Sequence, residues 1–281
     1  MRLRMGARVL EGPGPFVMGI VNATPDSFSD GGRYLALADA VAGAERMAEE
    51  GADLIDLGGE STRPGAPPVS VDEELRRVVP VIERLRARGF RLPISIDTSK
   101  GDVARAALAA GADVVNDVNG GADPGLLAAV AAAGAPVVLM HSRGPAGDRG
   151  ATYGDVVADV AEELRAAVAR AEAAGVAPDG IVVDPGLGFS KTAAQNLELL
   201  RRLDALRALG KPLLVGPSRK SFIGAVTGAP VDQRLPGTLA VVTACVLAGV
   251  EIVRVHDVPE ARQAADVAAA IRDGTVPAPR A

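Results

Sequence analysis

Cysteine and aromatic residues are nearly absent from this sequence. Among 281 residues there is one cysteine and no tryptophan, and only 2% of the residues are aromatic. A single cysteine excludes an intrachain disulfide, so we expect a protein of a reducing compartment. Cys245 lies in the apolar run TACVLAGV, which is typical of a small buried core residue rather than of a catalytic thiol. The core must therefore be built mainly from Ala, Val and Leu.

The sequence also lacks a strong charge of one sign and a long apolar run. Its formal net charge is −5 and it has no dense stretch of Lys or Arg, which argues against nucleic-acid or membrane-surface partners. The longest apolar run, 239–250, is shorter than the roughly 20 residues that span a bilayer. Gly and Pro at 12–15 stand where a signal peptide needs its apolar segment. We therefore expect a cytoplasmic protein, with a loose tail from about residue 275.

What the sequence does contain is a repeat of short β-branched runs, each followed by a polar or Gly-rich loop and an Ala-rich stretch. The runs are mostly continuous rather than alternating, which is typical of parallel strands buried on both faces. They occupy residues 15–22, 52–58, 92–97, 112–117, 135–141, 180–185, 211–216 and 250–256. We expect a parallel strand at each of these places.

Helical stretches lie between the runs, for example at 39–51, 71–89 and 155–175. Several end in Gly, which favours the left-handed position after a helix, and Pro80 should bend or restart the helix that contains it. Strands and helices that alternate over a chain of this length predict a single α/β domain over residues 1–281, a (β/α)8 TIM barrel. An open doubly wound sheet is the alternative, but no G-x-G-x-x-G turn follows the first run.

Polar residues stand at the carboxyl end of each run. They are Asn22, Asp56, Asp97, Asn116, Asp117, His141, Asp184, Ser218, Arg254 and His256. In a barrel these ends converge on one face, where the loops build the active site. Some of them could instead cap the next helix: Asp117 fits such a role, and Ser99 and Asp102 are ordinary capping residues.

Three of these polar groups predict a site for a ring that is rich in N–H donors. Asp97, Asn116 and Asp184 would be buried at the barrel centre, where polar groups need partners. A 2-amino-4-oxo-pyrimidine edge supplies parallel N–H donors to a carboxylate. Lys220, in GPSRKSF, could reach a carbonyl or ring nitrogen, although a solvated basic loop at Arg219 and Lys220 is the alternative. A phosphate-binding P-loop is excluded because its glycine spacing is absent.

A second group of residues predicts an anion site. Asn22 ends the first run, Arg63 follows the second, and Arg254 and His256 lie at the end of the last. These three runs are neighbours in a closed barrel. The four residues could meet around one diphosphate, and the Asn22 carbonyl oxygen suits Mg²⁺, which shares phosphate oxygens and usually keeps waters. A purely structural histidine is the alternative for His256, and equally for His141.

These segments together resemble the motif set of the dihydropteroate synthases. The motifs are NATPDSFSDGG (22–32), GGESTRPG (58–65), SIDT (95–98), NDV (116–118), DPGLGFSK (184–191), GPSRKSF (216–222) and RVHDV (254–258). They come in the family's order and spacing and cover residues 17 to about 258. Two departures are mild: Ala23 stands where Val is frequent, and MHSR at 140–143 follows a variable pattern.

The resemblance implies a role for each matching residue. A pterin pocket would be formed by Asp97, Asn116, Asp184 and Lys220. Diphosphate would be bound by Asn22, Ser61, Thr62, Arg63, Arg254 and His256, with Asn22 also holding Mg²⁺. The p-aminobenzoate site would be shaped by Phe28, Arg63, Pro64, Lys220 and Ser221. The catalytic groups would be Asp30, Asp97, Asp184 and Lys220, with Asp30 closing over the reacting centre. The resemblance further implies a homodimer.

Two other functions remain open to a barrel with such a pocket. A methyltetrahydrofolate:corrinoid methyltransferase could share an Asp/Asn/Asp site, but it would need neither the PDSFSDGG and ESTRPG loops nor the cations of the last run. A paralogue that binds pterin without turnover is the other alternative. The best-supported function is the condensation of 6-hydroxymethyl-7,8-dihydropterin diphosphate with p-aminobenzoate.

Overall fold

The computed structural model describes residues 2–5, 8–12, 14–23, 33–61, 67–144 and 151–276. Within these residues ten strands are present: β1 (Arg2–Met5), β2 (Arg8–Glu11), β3 (Phe16–Asn22), β4 (Leu54–Gly58), β5 (Ile94–Asp97), β6 (Val114–Asp117), β7 (Val137–Met140), β8 (Ile181–Asp184), β9 (Leu214–Val215) and β10 (Ile252–Val255). The helices of the same residues are α1 (Arg33–Glu49), α2 (Val71–Ala87), α3 (Gly101–Ala110), α4 (Pro124–Ala133), α5 (Val156–Ala173), α6 (Ala193–Arg201), α7 (Leu203–Arg207), α8 (Ser221–Thr227), α9 (Leu235–Leu247) and α10 (Val258–Asp273).

Eight of the strands form one parallel barrel. Their order is β8-β7-β6-β5-β4-β3-β10-β9. A parallel bridge between Val183 and Leu213 joins the two ends of this sheet, and the Val183 N–H donates to the Pro212 carbonyl at 3.0 Å. The (β/α)8 barrel is therefore confirmed, and the open doubly wound sheet is wrong. Each predicted run contains a barrel strand, although β9 keeps only two residues of 211–216.

The antiparallel hairpin of β1 and β2 was not predicted from the sequence. Its residues Met5 and Leu10 are buried in one cluster with Phe16 and Met18 of β3. The same cluster contains one residue from every second barrel strand, which we call the apolar layer: Leu54, Val114, Val182 and Ile252. The hairpin thus covers the amino-terminal end of the barrel, opposite the end where a barrel enzyme binds its substrate.

Side chains two residues apart on a strand point to the same face. Two residues beyond the apolar layer on the same four strands are Asp56, Asn116, Asp184 and Arg254, which we call the polar layer. On these four strands the barrel interior therefore changes from apolar to polar over two residues. This change marks the position of a site at the carboxyl end of the barrel.

Local details correct two expectations about helices. The α2 helix continues through Pro80 instead of restarting there. The N-cap position of α3 is Lys100, whose side chain makes no capping bond, and the Gly101 N–H donates instead to Asp123 at 2.9 Å. Ser99 therefore does not cap α3, because a side chain from another segment takes that place. Asp117 does hold a turn, since its carboxylate accepts from the N–H groups of Asn119 and Gly121.

The expectations about the cysteine, the domain and the tail have different outcomes. Cys245 is fully buried in α9, which confirms its place in the core. Within the described ranges, no helix combines the length and the apolar character that crossing a membrane requires. One domain over residues 1–281 and a loose tail from about 275 stay predictions, because 277–281 lie outside the described residues.

Candidate active site at the carboxyl end of the barrel

The residues predicted to bind a ring come together at the carboxyl end of the barrel. Asp97 at the end of β5 is the register partner of Asn116 on β6, and Asp184 ends β8. The Arg254 guanidinium donates from Nη2 to Asp97 Oδ2 at 2.7 Å. Lys220 lies close enough that the charges of Asp184 and Asp97 affect its pKa. Two carboxylates, an amide and two cations therefore share one buried space.

Burial controls the acidity of this group. It raises the pKa of Asp97 to about 7, against the lowering effect of the nearby Arg254 charge. Burial likewise raises the pKa of Asp184 to about 6, although the Gly186 N–H donates to its Oδ1 at 2.7 Å. Burial lowers the pKa of Lys220 to about 8, and the Arg254 charge adds to this. Desolvated charges with few partners are typical of sites that bind a complementary ligand.

The loop after Asp184 turns sharply because of glycine. Gly186 has a φ of +67°, and a Cβ there would lie 2.0 Å from the carbonyl oxygen of His141. Further along the loop, the Phe189 ring lies under Lys220, whose Nζ is 4.5 Å from the ring centroid. A cation over an aromatic face is attracted by the ring quadrupole. Phe189 was not predicted as a site residue from the sequence, although an aromatic residue inside a Gly-rich loop after a strand is a signal for such a position.

A buried lysine is hydrogen-bonded to the backbone of the same loop after Asp184. Lys191 is only 4% exposed, and its Nζ donates to the carbonyls of Gly186 at 3.1 Å and Phe189 at 3.0 Å. It also contacts Nδ1 of His141 at 2.9 Å. An amine that donates to Nδ1 leaves the ring proton on Nε2, which faces Glu163 Oε2 at 2.9 Å. Burial, aided by the Lys191 charge, lowers the pKa of His141 to about 4.

This network favours the structural alternative for His141. A neutral imidazole that accepts from Lys191 and donates to Glu163 has both ring nitrogens occupied by protein groups. Lys191 was not singled out by the sequence analysis either. No residue pattern could have shown its role, because most of its partners are backbone carbonyls.

The loop after β9 separates its two cations. Arg219 has a φ of +54°, and its side chain pairs with Asp257, with Nη2 2.5 Å from Oδ1. Lys220 instead points into the buried site. The alternative of a solvated basic loop is therefore wrong for Lys220, while Arg219 is held by an ion pair beside the site.

Next to this loop, a histidine and a serine are joined across strand ends. The Ser218 hydroxyl lies 2.8 Å from His256 Nδ1, and it accepts from the His256 backbone N–H at 3.3 Å. A hydroxyl that accepts the N–H can donate to Nδ1, which places the ring proton on Nε2. His256 and Arg254 both belong to the end of β10, but Arg254 turns inward toward the carboxylates. The diphosphate-binding roles of these two residues stay predictions.

Several predicted residues lie at the edge of the described site or outside it. Asn22 ends β3 in register with Gly58, and Ser221 begins α8. Ser61 is the last described residue before the gap at 62–66. Outside the described residues are Phe28, Asp30, Thr62, Arg63 and Pro64. The roles assigned to all of these residues stay predictions.

An ion cluster that the sequence analysis missed joins the two sides of that gap. Glu60 Oε1 accepts from the Val69 N–H at 3.1 Å. Lys100 pairs with Glu60 and also with Glu74, which is fully buried on α2. Glu60 therefore links Val69, beyond the gap, to Lys100 at the start of α3. Charged residues of opposite sign on separate segments gave no sequence signal for this arrangement.

Comparisons with known proteins agree with this geometry. Residues 18–256 match the family described as pterin binding enzyme. The dihydropteroate synthase of Synechocystis is 50% identical over 260 residues, which are 91% of this chain and 90% of that protein. A structure of Xanthomonas albilineans dihydropteroate synthase with 4-aminobenzoic acid has a TM-score of 0.90 and 49% identity, covering 96% of this chain and 98% of that one.

A second structure of the Xanthomonas albilineans enzyme contains 7,8-dihydropteroate. Its TM-score is 0.87 and its identity is 47%, over 97% of this chain and 99% of that chain. Family match, sequence identity and structural similarity each span nearly the whole barrel. The chain therefore belongs to the pterin-binding enzymes and, among them, to the dihydropteroate synthase family.

Proposed function

We propose that this chain condenses 6-hydroxymethyl-7,8-dihydropterin diphosphate with p-aminobenzoate to form 7,8-dihydropteroate and diphosphate. The observation that carries the proposal is the set of Asp97, Asn116 and Asp184 beside Lys220 at the carboxyl end of the barrel. Asn116 and Asp184 are buried, and the side chain of Asp97 is only 10% exposed. The proposal is supported by the relatives, which are dihydropteroate synthases and align with this chain along almost their whole length. The activity is therefore that of a transferase.

The pterin ring supplies what the buried carboxylates lack. Its amino group and ring N–H can donate to Asp184, and further N–H groups can donate to Asp97. These bonds replace the solvation that both carboxylates lose in the barrel, which is the reason their pKa values are raised. Lys220 donates to the ring carbonyl or to a ring nitrogen, and its position over Phe189 keeps the ammonium at the site.

The reaction is a displacement at the exocyclic CH2 of the pterin. The bond from this carbon to the diphosphate oxygen breaks, and its electron pair leaves with the diphosphate. The electron-rich ring stabilises the positive charge that develops on the carbon, and the negative charges of Asp97 and Asp184 favour it. The neutral arylamine then forms the C–N bond and releases a proton. No nucleophilic triad is required.

The proposed metal is Mg²⁺, bound to the diphosphate and to Asn22. Mg²⁺ commonly takes only one or two protein oxygens and shares phosphate oxygens and waters, so an amide oxygen at the end of β3 fits it. Among the described residues no group of three or more His, Cys, Asp or Glu could hold a metal, which is compatible with a metal that arrives with the substrate. The ion would neutralise the charge on the departing diphosphate.

The second substrate would enter beside the start of α8. Ser221 and Lys220 lie there, and Phe28, Arg63 and Pro64 are proposed to complete the site from the two loops. Asp30 is proposed to close over the reacting carbon. A closed site would exclude water, which could otherwise capture the cation in place of the arylamine.

We further propose that the protein is a cytoplasmic homodimer. Exposed apolar residues on the adjacent helices α9 and α10 support a contact between two copies: Leu247, Val267 and Ile271 are 46%, 60% and 65% exposed. Sedimentation analysis of the wild type and of Ile271→Glu tests this contact. A dimer that the substitution leaves unchanged would place the interface elsewhere.

The assay that tests the function follows both products. Purified protein is given the pterin diphosphate with and without p-aminobenzoate and Mg²⁺, and diphosphate and dihydropteroate are measured. We expect dihydropteroate only when both organic substrates are present, and little of it when the metal is chelated. Binding of pterin without turnover would support the non-catalytic paralogue. Methyl transfer from methyltetrahydrofolate to a corrinoid would support the other alternative, which no described residue favours.

A further inference from the structure

Asp56 is the member of the polar layer that has no role in the proposed reaction. It lies in the middle of β4, a strand whose five residues are all buried, and its own exposure is 0%. A ligand at the barrel mouth cannot touch such a residue. Any effect of Asp56 on the reaction must therefore pass through neighbouring side chains.

One oxygen of Asp56 makes both of its hydrogen bonds. Arg254 donates from Nε to Asp56 Oδ2 at 2.6 Å, and Asn116 donates from Nδ2 to the same oxygen at 3.0 Å. The other oxygen, Oδ1, is buried and accepts from no described residue. Asp56 thus joins β10 to β6 across the barrel interior through a single acceptor atom.

The contact with Asp56 determines which way the Asn116 amide faces. A carboxylate oxygen that accepts from a guanidinium cannot donate, so only the amide nitrogen of Asn116 can face it. The amide oxygen is on the opposite side of the same group and turns away from Asp56. Asn116 therefore presents its oxygen, an acceptor, to a ligand that enters from the mouth.

The contact with Asp56 also determines the position of Arg254. The guanidinium lies between two carboxylates, with Nε directed to Asp56 and Nη2 to Asp97. Two contacts through different nitrogens of a planar group fix both its place and its rotation. Without Asp56, Asp97 alone would hold it, through one nitrogen only.

We propose that Asp56 is a positioning residue that makes the pterin pocket selective for a ring with an exocyclic amino group, because it turns the acceptor of Asn116 toward the ligand and fixes Arg254 beside Asp97. The inference rests on the proposed function, since it concerns the ring that the site binds. It assigns no chemical step to Asp56.

The alternative is a purely structural role, in which Asp56 only compensates the buried charge of Arg254. Substitution would then weaken all ligands alike, through loss of stability. The proposal instead predicts a change in preference between two rings that differ only in the amino group. A site built to bind an N–H donor discriminates strongly against the analogue that lacks it.

The experiment compares two ligands with three variants and the wild type. Calorimetry gives the Kd of pterin and of 4-oxo-pteridine, which lacks the 2-amino group, for the wild type, Asp56→Leu, Asp56→Asn and Ser95→Ala. Ser95 is the matched control because it is fully buried, is the register partner of Asp56 on β5, and its hydroxyl has no hydrogen-bond partner among the described residues. Thermal unfolding checks that each variant is folded.

We expect the wild type and Ser95→Ala to prefer pterin to the same extent. In Asp56→Leu the Asn116 amide can turn, and the preference should shrink about tenfold, the equivalent of one lost hydrogen bond. In Asp56→Asn a single amide oxygen can still accept from both partners, so the preference should stay within about threefold of the wild type. Equal weakening of both ligands by Asp56→Leu would overturn the proposal. Failure of the wild type to bind pterin would instead overturn the proposed function.

Asp56→Asn provides a second readout if the leucine variant does not fold. Burial is the main cause of the raised pKa of Asp97. Among the charged groups that act on it, Arg254 lowers this pKa, and Asp56, Glu74 and Asp117 raise it. Removing the Asp56 charge lowers this pKa, so the loss of pterin affinity in acid should begin at a lower pH in Asp56→Asn than in the wild type. An unchanged pH dependence in acid would show that the Asp56 charge does not reach Asp97, which the proposal links to Asp56 through Arg254, and would contradict the proposal.

Discussion

Acidic side chains at the two ends of this barrel have opposite surroundings. At the amino end, Asp113 accepts from the Ile94 N–H at 2.9 Å and pairs with both Arg8 and Arg86. At the carboxyl end, Asp184 has one described side-chain hydrogen bond, from the Gly186 N–H. Burial raises the pKa of Asp184 to about 6. The amino end satisfies Asp113 within the protein, and the carboxyl end leaves Asp184 for a ligand.

The difference shows how a barrel separates stability from function. Arg86 does more than pair with Asp113, because it also donates to the carbonyls of Gly111 at 2.9 Å and Phe90 at 2.7 Å. Such a fully bonded arrangement fixes the ends of strands and helices but offers nothing to a substrate. The carboxyl end keeps desolvated groups in place only because the rest of the barrel holds them there.

The largest expected effect is on function, from Asp184→Asn. The substitution removes two charge-assisted hydrogen bonds to the pterin, each worth about 1.5–3 kcal/mol, so pterin affinity and turnover should fall roughly a hundredfold or more. Stability should be unchanged or improved, because a poorly solvated charge is lost. Calorimetry and thermal unfolding measure the two quantities. Turnover and affinity near those of the wild type would remove Asp184 from the pterin site.

The converse substitution, Arg86→Ala, should affect stability only. It leaves the 4% exposed side chain of Asp113 without one of its cations and leaves several carbonyls without a donor, which should cost about 2–4 kcal/mol. At roughly 2–4 °C per kcal/mol for a domain of this size, the melting temperature should fall by about 5–15 °C. Pterin affinity of the folded variant at low temperature should stay within about twofold. A large loss of affinity would mean that the two ends are coupled.

The carboxyl and amino ends of the barrel also differ in how far their structure could be predicted from the sequence. The barrel and the convergence of Asp97, Asn116 and Asp184 were predictable because a continuous β-branched run and a polar residue at its end are both local signals, as in IVVD at 181–184. The hairpin of β1 and β2 was not, because RLRM and RVLE are short and rich in arginine. The Asp113 cluster depends on Arg8 and Arg86, which are distant in sequence and carry no pattern.

Asp56 shows the limit of the same reasoning inside the site. Its place in the second half of a predicted run was visible, but its role depends on Arg254, which is 198 residues away, and on the amide orientation of Asn116. The signal that could have found it is a shared spacing: each member of the polar layer follows an apolar interior residue by two positions. Recognising that spacing requires knowing which strands alternate around the barrel.

The pH dependence of pterin binding should reflect the carboxyl end alone. Asp97 and Asp184 have pKa values raised to about 7 and about 6, so below these values they bind protons that must leave before the carboxylates can accept N–H bonds. Affinity should therefore fall as the pH drops from 7, by up to about tenfold per pH unit for each proton released. Lys220, with a pKa of about 8, loses its charge above that pH, and affinity should fall again.

Calorimetry from pH 5 to 9 tests this profile, with each point measured in two buffers of different ionisation enthalpy. Binding at about pH 5–6 should release protons, whereas binding near pH 7.5 should release few. Arg86→Ala is the matched control, because its substitution lies at the other end and should leave the profile unchanged. A flat profile between pH 5 and 7 would show that the two carboxylates do not accept from the ligand.

The smallest expected effect concerns Lys191. It lies at the carboxyl end of the barrel, but its ammonium group is hydrogen-bonded to protein groups, as Asp113 is at the amino end. Lys191→Met should remove the donors to Gly186 and Phe189 while keeping much of the side-chain volume. Because a buried amine of lowered pKa, about 7, stabilises the fold less than a fully charged one, we expect a loss of only about 1–2 kcal/mol. The loop that carries Asp184 and Phe189 should loosen, so kcat/KM should fall about three- to tenfold, through the KM for pterin more than through kcat. Lys191→Arg keeps hydrogen-bond donors but adds bulk, so it separates the effect on loop position from the effect on stability. Partial recovery of KM without recovery of stability would indicate that Lys191 positions the loop. Recovery of stability without recovery of KM would contradict this role.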